Sequence, residues 1–135
     1  MNSDGTKTLL LVEDQALIAR SEAMTLKRHG YQVITVYTGE QAIDAVEKSP
    51  EIDLVLMDIN LGRGLDGTQA AERILRQRDL PLIFLSSHAE REVVEKTEGI
   101  TSYGYIIKNS GETVLIASIK MAFRLFEARL VSWKA

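Results

Sequence analysis

The chain contains no cysteine, two prolines and one tryptophan among its 135 residues. Without cysteine, neither a disulfide framework nor a thiolate metal site can form, so a reducing compartment is allowed and we expect a cytoplasmic location. No apolar run approaches the roughly 18 residues that span a bilayer, and the polar start of the chain lacks the regions of a signal peptide. We therefore expect a soluble protein that does not associate with membranes.

The charge balance is slightly acidic, with 16 basic and 19 acidic residues and a net charge of −3. Because nucleic-acid-binding surfaces carry a basic excess, direct binding of nucleic acid is not expected. The length suits one domain with a single core. We divide the chain into a flexible tail at residues 1–7, one domain at residues 8–130, and the end of the last helix or the start of a linker at residues 131–135.

Short apolar runs alternate with helical patterns, which is typical of a parallel sheet covered by helices on both faces. The pattern predicts strands near residues 8–12, 32–36, 53–57, 81–85 and 104–107, and helices near residues 15–29, 39–48, 67–77 and 89–98, with a last helix from Gly111. Gly30 is expected to end the first helix in a left-handed conformation. Capping-box spacing occurs at Thr38 with Gln41, Asp66 with Gln69, and Ser87 with Glu90. Five βα units therefore predict an α/β fold.

Polar residues follow four of the predicted strands. They are Glu13 and Asp14, Asp58, Ser86, and Lys108. Because the carboxyl ends of parallel strands lie along one edge of the sheet, where ligands of open α/β sheets bind, these residues are expected to form one site.

The acidic residues of this set indicate the chemistry. Three carboxylates in a low-dielectric cleft repel one another, and a hard divalent cation such as Mg²⁺ removes the repulsion. A carboxylate beside such an ion can be the nucleophile toward a phosphoryl donor. Lys108 would place a positive charge on the phosphoryl oxygens, and Ser86 would donate a hydrogen bond.

Each residue also has a plainer interpretation. Asp14 could cap a helix, Asp58 could begin a turn, Ser86 could satisfy backbone groups, and Lys108 could be a solvated surface charge. All four at the same end of consecutive strands favour the phosphoryl site.

Five sequence elements, in this order, resemble those of a response regulator receiver domain over about residues 7–127. They are Leu11-Val12-Glu13-Asp14, Leu56-Met57-Asp58, Asp66-Gly67, Phe84-Leu85-Ser86-Ser87 and Tyr105-Ile106-Ile107-Lys108. The resemblance implies a flavodoxin-like, doubly wound, five-stranded parallel sheet of order 2-1-3-4-5 with five helices.

The resemblance also implies a role for each site residue. Asp58 would be the phosphoacceptor and a metal ligand, Asp14 a direct Mg²⁺ ligand, Glu13 a ligand through water, and the Asn60 backbone carbonyl a further ligand; Mn²⁺ is the alternative metal. Ser86, Ser87 and Lys108 would bind the phosphoryl group, Ser86 and Tyr105 would form the switch, and Asn60 and His88 would tune dephosphorylation.

Two departures from the family pattern affect the loops around this site. Asn109 follows Lys108 where family members usually carry proline, often after a cis peptide bond; a cis bond here would cost about 2.5 to 4 kcal/mol, and either a trans or a strained loop is expected. The loop at residues 59–67 is one residue longer than the common pattern, lacks its proline and contains two internal glycines.

The last helix is longer than one sheet face requires, and it carries two apolar seams. One contains Leu115, Ser118, Ala122 and Leu125, and the other contains Ile116, Ile119, Phe123, Phe126 and Leu130. One seam can cover the sheet. The second either packs within the same domain, forms a homodimer, or continues as a signalling helix. Met24, Met57 and Met121 are expected to fill gaps in the core.

These features predict a phosphorelay protein that accepts a phosphoryl group on Asp58 from a histidine kinase or a histidine phosphotransfer protein and then changes its affinity for a partner. It would be a stand-alone regulator or part of a larger protein such as a hybrid kinase. It would not be an enzyme in the ordinary sense, although it assists its own phosphorylation and dephosphorylation. A pseudo-receiver that binds partners without phosphorylation, and a phosphatase or dehalogenase-like enzyme, are the alternatives.

Overall fold

The structure, a computed structural model, describes residues 5–62, 64–87, 91–101 and 103–134, of which residues 91–92 and 130–134 are described as backbone only. Strands and helices alternate along the chain. In order they are β1 Thr8–Val12, α1 Ala16–Arg28, β2 Gln32–Val36, α2 Gly39–Lys48, β3 Ile52–Asp58, α3 Gly67–Gln77, β4 Leu82–Ser86, α4 Arg91–Glu98, β5 Tyr105–Ile107 and α5 Glu112–Lys134.

The strands form one parallel sheet in the order β2-β1-β3-β4-β5. This is the flavodoxin-like α/β fold with the expected order 2-1-3-4-5, five helices and a long last helix. The element bounds agree with the predicted ones to within about two residues, which is the usual uncertainty at helix and strand ends.

The central strands are buried on both faces because each face of the sheet carries helices. Alternate residues of β1 and β3 point to opposite faces. One face joins Leu10, Val12, Val55 and Met57 to apolar residues of α2 and α3. The other joins Leu9, Leu11, Leu54 and Leu56 to apolar residues of α1 and α5. The continuous apolar runs of the sequence thus become the doubly covered centre of the sheet.

Helix-capping signals are largely confirmed. Asp66 and Gln69 form a complete capping box at the start of α3. Thr38 accepts a hydrogen bond from the Gln41 amide, but the Gln41 side chain accepts from the amide of Tyr37 rather than from that of Thr38. Gly30 has a φ of 90°, the expected left-handed conformation. The Ser87–Glu90 box cannot be located, since Glu90 lies outside the described residues.

Helix α5 buries the Ile116–Ile119–Phe123 side against the sheet, together with Ala122. Phe123 stacks on Tyr31 at a centroid distance of 6.4 Å. Phe126 is half-buried and packs edge-on against Tyr103 at 5.9 Å. The sequence left three alternatives for the second apolar seam of this helix. The seam residues from Ile116 to Phe126 pack within their own domain. The side chain of Leu130 lies outside the described residues.

The prediction for the methionines is confirmed for Met57, which is fully buried, and wrong for Met24 and Met121, which are 57% and 60% exposed. On α1 the sheet contacts come from Ala19, Ala23 and Leu26, and Met24 lies off this stripe. Met121 likewise lies beside, and not on, the buried stripe of α5.

Lys7, the last residue of the predicted tail, contacts the rest of the domain. Residues 1–4 of the predicted tail lie outside the described residues. The carbonyl of Lys7 already accepts a hydrogen bond from the Gln32 amide at 3.0 Å, and its ammonium lies 5.3 Å from the ring centroid of Phe123. Among the described helices, none has both the length and the apolar character needed to cross a membrane.

Candidate functional site

The sheet brings five of the predicted site residues to its carboxyl edge. Glu13 and Asp14 follow β1, Asp58 ends β3, Ser86 ends β4, and Lys108 follows β5. The parallel register aligns these ends: Val12 pairs with Met57, Asp58 with Leu85, and Ser86 with Ile107. Residues distant in sequence thus share one cleft because their strands are neighbours in the sheet.

Lys108 joins two buried carboxylates. Its Nζ lies 2.6 Å from Glu13 Oε1 and 3.0 Å from Asp58 Oδ2. The lysine side chain is 13% exposed, and the two carboxylate side chains are at most 3% exposed. Because water is largely excluded here, these charge-assisted hydrogen bonds are stronger than those of a surface pair.

Burial and the neighbouring charges shift the pKa values of both Glu13 and Lys108. Burial, supplemented by the neighbouring Asp58, raises the pKa of Glu13 to about 8, although Lys108 opposes the change. Burial alone would lower the pKa of Lys108, but its hydrogen bonds to Glu13 and Asp58 outweigh burial and raise it. The site therefore holds one ammonium among more carboxylates than it can neutralise, which suits a further cation.

The loop after β3 fixes the two other carboxylates. Asp58 Oδ1 accepts a hydrogen bond from the Asn60 amide at 3.1 Å, as in a local Asx turn. Asp14 Oδ2 accepts one from the Gly62 amide at 3.1 Å. Asp14 does not cap α1, whose N-cap is Gln15. Further along the loop, the Leu65 amide donates to Glu40 Oε2 at 3.3 Å. The longer loop is therefore anchored at both α2 and Asp14.

A hard divalent cation fits the donor set. One carboxylate oxygen from each of Glu13, Asp14 and Asp58 lies within 4.8 Å of the others, with Asp14 exposed and the other two buried. Oxygen ligands, excess negative charge and one solvent-facing side suit Mg²⁺, which keeps part of its water shell. Mn²⁺ accepts the same ligands.

Three further predicted residues, Ser86, Ser87 and Tyr105, lie on or next to β4 and β5. Ser86 is buried, and its backbone carbonyl accepts a hydrogen bond from the Lys108 amide at 2.7 Å. Ser87 is exposed. Tyr105 begins β5, pairs with Phe84 and is half-buried against the core. His88 lies outside the described residues.

The peptide bond between Lys108 and Asn109 is trans, and no cis peptide bond occurs among the described residues. Of the two expected forms of this loop, the trans form is therefore the one present. Asn109 has a φ of 68°, and no other non-glycine residue in the described part of the chain has a positive φ. Asparagine tolerates this left-handed conformation better than most residues do. At the position where the resemblance implies proline, the chain thus has asparagine in a conformation that proline cannot adopt.

Sequence reasoning missed two parts of the site. One is the Gly62 amide on Asp14, which only the folded loop reveals. The other is Glu22 on α1, which lines a cleft of about 440 Å³ beside Lys108. The cleft lies between α1 and the β5–α5 connection. A signal for Glu22 existed: it falls three residues after Ala19 and four before Leu26, on the apolar side of its helix.

Comparison with known proteins agrees with this fold. The family model described as "Response regulator receiver domain" matches residues 9–120. The chain is 31% identical over 121 residues to the transcriptional regulatory protein PdtaR of Mycobacterium tuberculosis, covering 89% of this chain and 58% of that protein. It is 32% identical to the regulatory protein VanR of Enterococcus faecium, covering 88% and 51%. The chain therefore spans about half the length of the curated relatives it matches.

Solved structures give the same result. The N-terminal domain of a response regulator/sensory box/GGDEF three-domain protein from Carboxydothermus hydrogenoformans is 44% identical, with a TM-score of 0.85 and coverage of 92% of this chain and 99% of that one. A CheY-like receiver domain protein from Methanospirillum hungatei is 25% identical, with a TM-score of 0.85 and coverage of 93% and 99%. The chain belongs to the response regulator receiver domain family and is a domain of two-component signalling.

Proposed function

We propose that the domain accepts a phosphoryl group on Asp58 from the phosphohistidine of a histidine kinase or phosphotransfer protein. The observation that carries the proposal is the geometry of Asp58: its carboxylate is buried, lies within 4.8 Å of two further carboxylates and has Lys108 Nζ 3.0 Å from Oδ2. A buried carboxylate held between an ammonium and a cation-binding cluster is suited to nucleophilic attack on phosphorus.

In the proposed transfer, an oxygen of Asp58 attacks the phosphorus atom. The new O–P bond forms as the P–N bond to the donor histidine breaks, and that nitrogen keeps the electron pair. Lys108 neutralises negative charge on the phosphoryl oxygens. Mg²⁺, when bound, would add positive charge beside the same phosphoryl oxygens. Asp14 would be its direct ligand, Glu13 a ligand through water, and the carbonyl of Asn60 a further ligand.

The switch that we propose starts at Ser86. Its hydroxyl, with the Ser87 region, would bind the new phosphoryl oxygens through charge-assisted hydrogen bonds, and Tyr105 would then turn inward. Since β4 and β5 are paired at Phe84 and Tyr105, a change at Ser86 has a short route to the surface of α5. Asn60 and His88 would set the rate of dephosphorylation.

The first experiment is intact-mass measurement with acetyl phosphate and Mg²⁺. Wild type should gain one phosphoryl group, whereas Asp58→Asn and chelated wild type should not. Labelling of Asp58→Asn would refute the assignment of the phosphoacceptor. An unlabelled wild type would favour a pseudo-receiver, and continuous turnover of an added phosphoester would favour a phosphatase.

The switch is tested separately, by amide spectra of wild type and Ser86→Ala with and without beryllofluoride. We expect Ser86→Ala to bind the phosphoryl mimic but to show smaller shifts around Tyr105 and α5. Equal shifts in both proteins would exclude Ser86 as the coupling residue and turn attention to the Lys108–Asn109 loop.

We also propose a homodimer through α5. The supporting surface differs from the buried seam: Val114, Met121 and Leu125 are 45%, 60% and 52% exposed and are spaced by seven and four residues. Light scattering over a concentration series should show association that Met121→Glu abolishes. A monomer at all concentrations, with and without beryllofluoride, would exclude the dimer.

The place of the domain in a larger protein is likewise a proposal. PdtaR and VanR are named as regulatory proteins about twice as long as the matched region, so an output or kinase domain attached to this receiver fits the family. Reading the coding sequence beyond the codon for Ala135 would identify such a domain.

A further inference from the structure

Glu22 is the feature of the cleft that the proposed phosphotransfer does not use. It projects from α1, and its Oε1 is shut off from solvent without a hydrogen-bond donor among the described residues. A buried acceptor without a partner is costly, since water satisfied it before folding. Burial raises the pKa of Glu22, and the nearby charges of Lys108 and Asp58 act on it in opposite directions. Glu22 therefore lies within electrostatic reach of the site.

Lys108 and Glu22 line the same cleft of about 440 Å³. Of the residues that line it, Lys108 carries the single cationic side chain, and Glu22 and Glu112 carry the acidic ones. Glu112 is already satisfied, because its Oε1 accepts from Arg28 at 2.8 Å and lies 2.7 Å from His29 Nε2. Of the two acidic residues that line the cleft, Glu22 is thus the one with a buried carboxylate oxygen that lacks a partner among the described residues.

Lys108 and a divalent cation would compete for the same carboxylates. Its two partners, Glu13 and Asp58, are also two of the three carboxylates whose oxygens form the cation-binding cluster. An ammonium and a divalent cation on the same oxygens repel each other strongly at low dielectric. Lys108 must then either weaken cation binding or move to another acceptor.

We propose that Glu22 is the alternative partner of Lys108: the ammonium leaves Glu13 and Asp58 for Glu22 Oε1 when a divalent cation occupies the acidic cluster, and returns to Asp58 once it is phosphorylated. The inference rests on the proposed metal-dependent phosphorylation and adds a positioning residue to it. A long, flexible lysine is suited to such an exchange, since its ammonium is a point charge on a four-carbon stem. In this proposal, Glu22 Oε1 lacks a partner among the described residues of the metal-free structure because Lys108 is then bound to Glu13 and Asp58.

The test measures Mg²⁺ affinity by calorimetry, without any phosphodonor. Glu22→Gln should weaken Mg²⁺ binding about tenfold, the scale of substitutions that act through a ligand's neighbours. Glu112→Gln, the matched control on the same cleft, should leave the affinity unchanged. The urea midpoint of metal-free Glu22→Gln should equal or exceed that of wild type, because a buried uncompensated carboxylate has been removed.

A double-mutant cycle tests whether Glu22 affects Mg²⁺ affinity through Lys108 or through its own charge acting directly on the metal. In a Lys108→Met background, Glu22→Gln should change Mg²⁺ affinity less than twofold, since no ammonium needs a second partner. As a measurement on unmodified Lys108, its ammonium resonance should shift when Mg²⁺ is added to wild type and stay in place in Glu22→Gln.

The outcomes distinguish the two proposals. Equal Mg²⁺ affinity in wild type and Glu22→Gln, or a full tenfold loss that persists with Lys108→Met, overturns the role of Glu22 and leaves phosphorylation at Asp58 intact. Failure of wild type itself to bind Mg²⁺ contradicts the proposed function, and the role of Glu22 with it.

Discussion

Gly67 lies directly against the backbone of Asp58. A Cβ on Gly67 would overlap the carbonyl oxygen of Asp58 and come within 2.8 Å of Ile59 Cα. The Gly67 amide also donates to the Ile59 carbonyl at 2.9 Å, so the start of α3 is fixed to the end of β3. The absence of a side chain at Gly67 is therefore what allows β3 and α3 to approach this closely.

Gly67→Ala should accordingly destabilise the protein by about 3 kcal/mol, at the upper end of the usual cost of overpacking, because the obstacle is backbone. The shift of Asp58 should also reduce Mg²⁺-dependent labelling. Urea denaturation and intact mass measure the two effects. Gly99→Ala is the control, since its Cβ would meet the Lys96 carbonyl at an ordinary 3.5 Å. Equal stability of the two variants would contradict the prediction.

Removal of the Lys108 ammonium should lower the stability of the protein, because the carboxylates of Glu13 and Asp58 then lose their shared cation. Lys108→Met leaves the carboxylates of Glu13 and Asp58 buried and unpaired, which should cost about 3 kcal/mol in the absence of divalent ions. Added Mg²⁺ should recover part of this loss by binding the same oxygens. Denaturation with and without Mg²⁺ checks both statements.

The matched control for that experiment is Lys48→Met. Its exposed pair with Asp44, at 3.0 Å, should contribute less than about 1 kcal/mol and show no Mg²⁺ effect. If Lys108→Met were as stable as Lys48→Met without metal, the pairing of Lys108 with the two carboxylates would not stabilise the fold.

Asn109 provides a third prediction. Proline fixes φ near −65°, whereas Asn109 has a φ of 68°, so Asn109→Pro should rearrange the loop and lower the unfolding free energy by about 2 kcal/mol or more. Asn109→Gly should be tolerated, since glycine adopts positive φ freely. Urea denaturation of both variants is the measurement. A proline variant as stable as wild type would mean that the loop readily takes another conformation.

A fourth prediction concerns pH and the cap of α3. Burial alone would raise the pKa of Asp66, but hydrogen bonds from Thr68 and the Gln69 amide, with the charge of Lys96, lower it below its usual 3.8. A lowered pKa means that the ionised form stabilises the fold above pH 3.8, and this contribution is lost as the pH falls further.

Asp66→Ala should therefore cost about 1 kcal/mol at neutral pH, the usual value of an N-cap. The difference from wild type should shrink below pH 3.8, and Asp66→Asn, which keeps the cap without the charge, should show a smaller loss at neutral pH. Thermal denaturation at pH 7 and pH 3 measures these differences. A loss that does not depend on pH would assign the effect of Asp66 to hydrogen bonding alone.

The strands, the helix ends and the five strand-end residues could be predicted because their signals are local or additive. Runs such as residues 9–12 and 53–57 identify doubly covered strands, and Gly30 and Asp66 mark helix ends with their own chemistry. The resemblance to receiver domains then supplied the strand order, which the runs alone do not fix.

Other features depend on tertiary packing and could not be read from the chain. The exposure of Met24 and Met121 is decided by which stripe of each helix contacts the sheet, and both helices offer more than one apolar side. The conformation of Asn109 and the Gly62–Asp14 hydrogen bond arise where two loops meet. Glu22 was the exception, since a carboxylate within an apolar stripe is visible in the sequence.

The ion pair between Lys108 and Glu13 joins residues 95 positions apart. Bringing together residues this far apart costs loop-closure entropy, which the contact itself must repay. A chain whose first three strands have assembled already holds Glu13, Asp14 and Asp58, but it has no ammonium beside them until β5 joins the sheet. Under the proposed function, readiness to accept a phosphoryl group would thus depend on a completed sheet, with β5 in place beside β4.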